Sequence, residues 1–578
     1  MSGQPALDVA AVRAWISHDP DPVTRAELSD LLRRAVPPGN SETADPESVD
    51  PEAAAELADR FDGTLSFGTA GLRGRVGAGP NRMNRAVVIR TSAGLVAFLR
   101  EHVGPDFSVV IGCDARYGSV DFARDTAAVV TAAGGRALLL PPHLPTPVLA
   151  FALTDLDTDA GVMVTASHNP RPDNGYKVYL GRRPLLQVTG EAAAAHGAGA
   201  QIVEPMDAMI AAQIEAAPPA DEVPRRDGAE VLDDTIVTRY LDRLSAHRSR
   251  AAGPLRLVTT ALHGVGAATL TAALHRQGFD DVHQVAAQAQ PDPDFPTVAF
   301  PNPEEPGALD LAKALADEVT ADLIIANDPD ADRLAAAVPD RSGWRQLTGD
   351  EVGLLLGERI AARWAERPAA ERARAVLANS VVSARALAQV AAHHGLPHVV
   401  TLTGFKWIAR APDLLFGYEE ALGYCLDPGA VRDKDGIAAA VEFAALVSEL
   451  AAAGRTVEDE LARIRRRDGI HLTAPLSIRF EQVEQIPQIV ADLLAEPPRQ
   501  LGGSPVTAVD DLSTGSDALP PTTGVVLHTA AGDRVVIRPS GTEPKLKCYL
   551  EVVEATDLDR ARARLAQAEK DLAARLGL

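Results

Sequence analysis

The sequence predicts an α/β protein: three similar mixed α/β-sheet domains followed by a smaller C-terminal α+β domain. From about residue 60, short β-branched or apolar runs alternate with alanine-rich amphipathic segments, the pattern of βαβ units stacked into largely parallel sheets. Three of these runs, Val109 to Asp114, Arg256 to Gly264 and Ala375 to Ser383, end in small or polar residues, and open α/β sheets bind ligands at the carboxyl ends of their strands. Past residue 460 the pattern changes. Ile470 to Phe480 and Val525 to Val553 alternate apolar and polar residues around an Ala-Ala-Gly-Asp turn at 530 to 533.

In chain order, Thr24 and Glu27 have capping-box spacing and precede Leu28, Leu31 and Leu32 on one helical face, which predicts a helix in an N-terminal arm. Asn40 to Asp50 is acidic and polar with a proline and reads as a solvated linker. Near the other end, Glu496 to Thr523 is rich in Pro, Gly and Ser, and a helix over Asp557 to Leu576 closes the last domain. The 578 residues are enough for about four domains at roughly 150 residues each.

Composition narrows the function. Lys and Arg number 56 against 79 Asp and Glu, a formal charge of −23, and no basic block appears, so neither nucleic acid nor an anionic membrane is an expected partner. Cys113, Cys425 and Cys548 are too few and too scattered for a disulfide framework or a CxxC zinc site. With no basic start followed by an apolar stretch, and no apolar run near the roughly 18 residues of a membrane span, the expected location is cytoplasmic.

Four motifs could carry chemistry. Thr165-Ala166-Ser167-His168-Asn169-Pro170 follows the apolar run Gly161 to Val164, with Asn174-Gly175-Tyr176-Lys177 close behind. A serine directly after a strand is placed to act as a nucleophile, although the same residue types also make ordinary turns, and the two glycines of a serine-hydrolase elbow are missing. Asn327-Asp328-Pro329-Asp330-Ala331-Asp332-Arg333 follows the buried-strand-like run Leu323 to Ala326. Three carboxylates in one loop repel unless a hard cation lies among them, and Mg²⁺ prefers carboxylate oxygen. An EF-hand is excluded, since its sixth and twelfth places hold Arg333 and Pro339.

The third motif, Arg538-Pro539-Ser540-Gly541-Thr542-Glu543-Pro544-Lys545, offers a guanidinium fork, two hydroxyls and a lysine around a tight backbone, donors suited to a phosphate dianion. There is no Gly-Lys dipeptide for a Walker loop, and Gly264-Val265-Gly266 lacks the third glycine of a dinucleotide fingerprint. In the fourth motif, Gly417-Tyr418-Glu419-Glu420-Ala421-Leu422-Gly423-Tyr424, adjacent carboxylates can accept from vicinal sugar hydroxyls; Arg432-Asp433-Lys434-Asp435-Gly436 follows it.

Together and in this order, the motifs resemble the α-D-phosphohexomutase superfamily, the phosphoglucomutases and phosphomannomutases, over about residues 60 to 550. Phe67-Gly68-Thr69-Ala70-Gly71-Leu72-Arg73-Gly74 is similar to the family's opening loop, whose arginine reaches the active site. The resemblance implies a four-domain, heart-shaped architecture: an arm and linker at 1–55, the phosphoserine domain at 56–235, the metal domain at 236–345, the sugar-binding domain at 346–460 and the phosphate-binding domain at 461–578. It implies that Ser167 carries a phosphoryl group and joins Asp328, Asp330 and Asp332 in holding Mg²⁺. Arg73, His168, Lys177 and Lys434 are the implied catalytic groups, with Lys434, His168 and Lys177 open as the base. Arg333, Lys406, Glu419, Glu420, Arg538, Ser540, Gly541, Thr542 and Lys545 would bind the sugar phosphate, and a hexose bisphosphate would be the activator and intermediate.

The implied activity is a Mg²⁺-dependent interconversion of hexose 1-phosphate and 6-phosphate, of glucose, mannose or both. Many family members place Ser after the glutamates. Here Ala421 stands there, as in a branch that includes pentose-phosphate mutases, and Thr403-Gly404-Phe405-Lys406-Trp407 is also similar to that branch. A phosphopentomutase is therefore the alternative, with a Mg²⁺-dependent phosphatase or a noncatalytic phosphosugar binder as readings of other classes. The Ala- and Gly-rich segment Gly181 to Ala200 is longer than the resemblance leads one to expect.

Overall fold

The computed structural model describes residues 7–36, 50–247, 250–341, 343–480, 485–516, 519–540 and 545–577. They form four sheets with flanking helices, and the chain divides into two compact units. One comprises residues 1–249, 256–334 and 429–440; the other comprises 250–255, 335–428 and 441–578.

The first unit opens with helices Val9–His18, Pro22–Ala35 and Pro51–Arg60. The expected capping box at Thr24 does not form. Asp21 is the N-cap, accepting from the Val23 amide at 2.9 Å, and Pro22 sits in the first turn, where its fixed φ and missing N–H cost nothing. Thr24 lies inside the helix instead, its hydroxyl donating to the Asp21 carbonyl. Leu28 is fully buried with Val12, Ala53 and Leu57, and Leu31 and Leu32 pack against them. The linker read at 40–49 lies outside the described residues.

The main sheet of this unit runs in the order Leu72–Arg75, Asp173–Leu180, Ala160–Val164, Ser108–Cys113, Arg136–Leu139, Glu230–Val231. Ser108–Cys113 is parallel to both of its neighbours, and its Val109, Val110 and Ile111 are fully buried. Covered on both faces, such a strand reads as a continuous apolar run rather than an alternating one. Asp173–Leu180 returns antiparallel to Ala160–Val164. It thereby brings Lys177 back beside the loop that leaves Val164. A second group of parallel strands, Asp281–Gln284, Arg256–Thr260 and Leu323–Ala326, ends in the aspartate loop. The unexplained segment after Leu180 forms two short helices, Arg182–Thr189 and Glu191–Gly197.

In the second unit, strands His398–Thr401, Val376–Ser380 and Leu414–Glu419 are parallel, and Gly423–Cys425 adds antiparallel to the last. The C-terminal sheet is antiparallel, with Ile470–Arg479 and Lys545–Glu554 paired over ten residues. Helices Gln485–Ala495 and Leu558–Arg575 cover one face through Ile486, Leu493 and Leu572. The region rich in Pro, Gly and Ser contains a strand, Ser504–Asp511. Among the described residues, no single helix is long and apolar enough to cross a membrane.

Candidate active site

Ser167 leaves strand Ala160–Val164 in a left-handed backbone conformation, φ 51°, which L-residues adopt at a cost of about 1–2 kcal/mol and which clusters at functional loops. Its amide donates to Thr165 Oγ1 at 2.8 Å, fixing the turn. The hydroxyl donates to Asp328 Oδ2 at 2.8 Å and lies 3.2 Å from His168 Nδ1. The serine and aspartate loops, 161 residues apart, thus meet at one hydrogen bond.

Asp328, Asp330 and Asp332 are fully buried and each brings one oxygen to within 4.8 Å of the others. Asp330 Oδ1 and Asp332 Oδ1, although buried, accept no hydrogen bond from any described residue. Three convergent carboxylates with unsatisfied oxygens fit a hard dication such as Mg²⁺. Their other oxygens are engaged. Lys177 Nζ reaches Asp330 Oδ2 at 2.7 Å and Asp332 Oδ2 at 2.9 Å, Lys434 Nζ is 3.1 Å from Asp332 Oδ2, and Thr146 Oγ1 donates to Asp330 Oδ2 at 2.7 Å. Arg333 Nε lies 3.9 Å from both Asp328 and Asp332, so three cations surround three carboxylates.

Burial pushes the Asp328 carboxyl well above the usual range, and the charges of Asp330 and Asp332 push it further. Against the same burial and each other's charge, Asp330 is held below its ordinary value by Lys177, and Asp332 by Lys177, Lys434 and Arg333. Lys177 is correspondingly raised: burial disfavours its charge, but Asp330 and Asp332 outweigh that. The His168 ring is pushed well below its ordinary value by burial and by the guanidiniums of Arg333 and Arg73, so it is neutral at pH 7. Arg73, on strand Leu72–Arg75 opposite Gly175, donates to Asn169 Oδ1 at 3.4 Å. The close approach of these two strands requires Gly71, where a Cβ would fall 1.9 Å from the Tyr176 carbonyl oxygen. Gly436 is needed for a similar reason, since a Cβ there would lie 2.2 Å from the Arg333 carbonyl oxygen.

The second unit holds the other predicted groups. Glu419 ends strand Leu414–Glu419, and the turn beyond it passes through Leu422 at φ 65°. Glu420 Oε2 accepts from Ser383 Oγ at 2.9 Å and Ser380 Oγ at 3.1 Å. Burial, then the charges of Glu419 and Asp350, push the Glu420 carboxyl up to about 7. Lys406 lies on the short helix Phe405–Ile408. Arg538 is on strand Arg534–Pro539, and the Ser540 amide donates to the Lys545 carbonyl at 2.8 Å, closing the base of the phosphate loop. Gly541 and Thr542 lie outside the described residues. Arg534 secures this sheet beside the glutamate loop, donating to the carbonyls of Val381 at 2.9 Å and Ser383 at 2.7 Å while pairing with Glu551.

Four family profiles match in succession: Phosphoglucomutase/phosphomannomutase, alpha/beta/alpha domain I over residues 64–187, domain II over 238–343, domain III over 348–466, and the C-terminal domain over 482–568. The chain belongs to the phosphoglucomutase/phosphomannomutase family. It is 44% identical over 489 residues to a probable phosphomannomutase of Haemophilus influenzae, covering 83% of this chain and 96% of that one. It is 34% identical over 585 residues to the phosphopentomutase of Mus musculus, covering 93% and 89%. A crystal structure from Thermus thermophilus, described as a phosphomannomutase, shares the fold with a TM-score of 0.67 at 23% identity, over 88% of this chain and 99% of that one. As a member of this family the chain is an isomerase, an intramolecular phosphotransferase.

Within the family frame, the serine loop depends on a residue that sequence reading missed. Arg116 is buried and its guanidinium donates to the carbonyls of Ser167, Asn169 (2.7 Å), Pro170 (3.0 Å) and Asp173 (3.0 Å), with the Phe295 ring 5.1 Å away. The available signal was its place two residues past Asp114, at a strand end already marked as a ligand edge. Thr146, Ser380 and Ser383 were missed as well, because only the fold brings them to their carboxylates.

Proposed function

We propose that this enzyme interconverts hexose 1-phosphate and hexose 6-phosphate, of glucose, mannose or both, through a phosphorylated Ser167 and a hexose bisphosphate. The observation that carries this is the hydrogen bond from Ser167 Oγ to Asp328 within a buried cluster of balanced charge. Three carboxylates matched by Lys177, Lys434 and Arg333 leave no spare positive charge for a phosphoserine dianion. A dication on Asp328, Asp330 and Asp332 would restore the balance. When bound, Mg²⁺ would supply positive charge beside the phosphoryl group and polarise it as a Lewis acid.

Ser167 Oγ gives its phosphoryl group to a sugar hydroxyl and later takes back the other phosphate of the bisphosphate. Arg333 and Arg73 stabilise negative charge on the transferring group. Lys177, kept protonated by Asp330 and Asp332, orders those carboxylates. Lys434, at the position of the family's acid/base lysine, removes and returns the proton of the attacking hydroxyl. Neutral His168 accepts from or donates to Ser167 Oγ when the serine is free. Glu419 and Glu420 hold the sugar hydroxyls, Glu420 through the oxygen not occupied by Ser380 and Ser383, and Arg538, Ser540, Thr542, Lys545 and Lys406 hold the phosphate that is not reacting.

Ala421 after the glutamates and the 34% identity to a phosphopentomutase favour a second reading, ribose 1-phosphate to 5-phosphate. An isomerisation assay with glucose, mannose and ribose 1-phosphates, Mg²⁺ and catalytic bisphosphate tests both. Turnover of the hexose phosphates above ribose phosphate is expected. Faster turnover of ribose phosphate establishes the second reading, and free phosphate released in step with substrate loss overturns both in favour of a phosphatase.

A further inference from the structure

Lys434 sits in a loop whose neighbours are pinned one after another. Arg432 Nη1 donates to the His196 carbonyl at 2.7 Å, in the helix Glu191–Gly197 of the segment that sequence reading could not explain. Asp433 Oδ2 accepts from the Tyr179 hydroxyl at 2.7 Å and from Gln201 Nε2 at 3.1 Å, and that same Nε2 lies 3.2 Å from the Tyr179 oxygen. Asp433 Oδ1 accepts from the Lys434 amide at 2.8 Å. Asp435 Oδ1 accepts from the Tyr240 hydroxyl at 2.9 Å and the Ala438 amide at 2.8 Å.

Two carboxylates compete for the Lys434 ammonium. Asp332 Oδ2 holds it at 3.1 Å, while Asp433 Oδ1 stands off at 3.6 Å. Tyr179 and Asp433 are almost wholly buried, so without its two donors the Asp433 carboxylate would be left under-solvated and would draw in the nearest positive charge. That charge is Lys434. We propose that Tyr179 and Gln201 are positioning residues that hold Asp433 away from the Lys434 ammonium and so keep Lys434 at the aspartate cluster. This rests on the reading of Lys434 as the acid/base group. Burial and the Asp433 charge keep the Tyr179 hydroxyl protonated at any working pH, so it is a permanent donor.

Kinetics of Tyr179→Phe, Gln201→Leu, Lys434→Ala and the double variant Tyr179→Phe/Lys434→Ala test this. Tyr179→Phe should lower kcat about tenfold with KM within about twofold of wild type, the signature of a misplaced reacting group rather than of lost substrate binding. Gln201→Leu should do the same to a smaller degree, which keeps the test alive if the tyrosine variant folds poorly. The double variant should be no slower than Lys434→Ala alone, because a residue acting only through Lys434 has nothing left to act on. Full kcat in both single variants, or losses that multiply in the double variant, would overturn the inference. Full activity of Lys434→Ala would overturn it too, by removing the group being positioned. A wild-type enzyme that isomerises no sugar phosphate would instead refute the proposed function itself.

Discussion

Replacing Lys177 by Met exposes the link between the aspartate cluster and a divalent ion. The side chains are similar in length, but the substitution removes two buried contacts, 2.7 Å to Asp330 and 2.9 Å to Asp332, and leaves two carboxylates short of a cation. Removing one partner of a buried ion pair costs about 3–5 kcal/mol. At about 2.1 cal/mol/K per residue, a unit of about 340 residues has an unfolding entropy near 0.7 kcal/mol/K, so the midpoint of its transition should fall by roughly 4–7 °C in metal-free buffer. A ligand at a hundred times its Kd returns about 2.7 kcal/mol, so saturating Mg²⁺ should recover more than half of that loss. Scanning calorimetry of wild type and variant, with EDTA and with Mg²⁺, reads both numbers. A variant that melts within about 1 °C of wild type without metal, or a gap that Mg²⁺ leaves unchanged, would refute the electrostatic reasoning.

Two further outcomes follow from single side chains. Arg116→Met removes the guanidinium from four carbonyls of the serine loop, and the resulting misplacement should lower the rate of Ser167 phosphorylation by glucose 1,6-bisphosphate about a hundredfold, measured by rapid-quench phosphopeptide analysis. Glu420 binds its proton more tightly in the folded chain, at about 7 against an ordinary 4.5, so its contribution to stability is complete below about 4.5 and is lost as pH rises through about 7. Glu420→Gln should flatten the decline in melting temperature between pH 5 and pH 8, by an amount equivalent to roughly 2–3 kcal/mol, as read by calorimetry across that range.

Much of the site was legible because its chemistry is local in sequence. Asp328, Asp330 and Asp332 announce a cation site by repulsion alone, and the run Leu323 to Ala326 places them at a strand end, where the fold puts them. The C-terminal alternation likewise marked Ile470–Arg479 and Lys545–Glu554, since a half-buried strand carries its own period. What stayed hidden depends on long-range pairing. Lys177 looked like a candidate base beside the serine, and only the aspartates 153 and 155 residues away fix its charge. Arg116 serves carbonyl oxygens, which have no sequence signature. Strand Ser504–Asp511 was masked by the turn-forming composition around it, and Thr24 lost the cap to Asp21 because Pro22 sets the first turn earlier. The two helices over 182–197 were visible as an insertion, but the His196 carbonyl that receives Arg432 becomes a partner only in the folded chain.

One measurement reaches the centre of the account. Wild-type enzyme is treated with glucose 1,6-bisphosphate and Mg²⁺, quenched, digested and sequenced by mass spectrometry. The account predicts one phosphoryl group on Ser167, transferred to sugar when unlabelled hexose monophosphate is added, and none on the Ser167→Ala variant. A phosphoryl group found on another residue, or full turnover with Ser167 never modified, would contradict it.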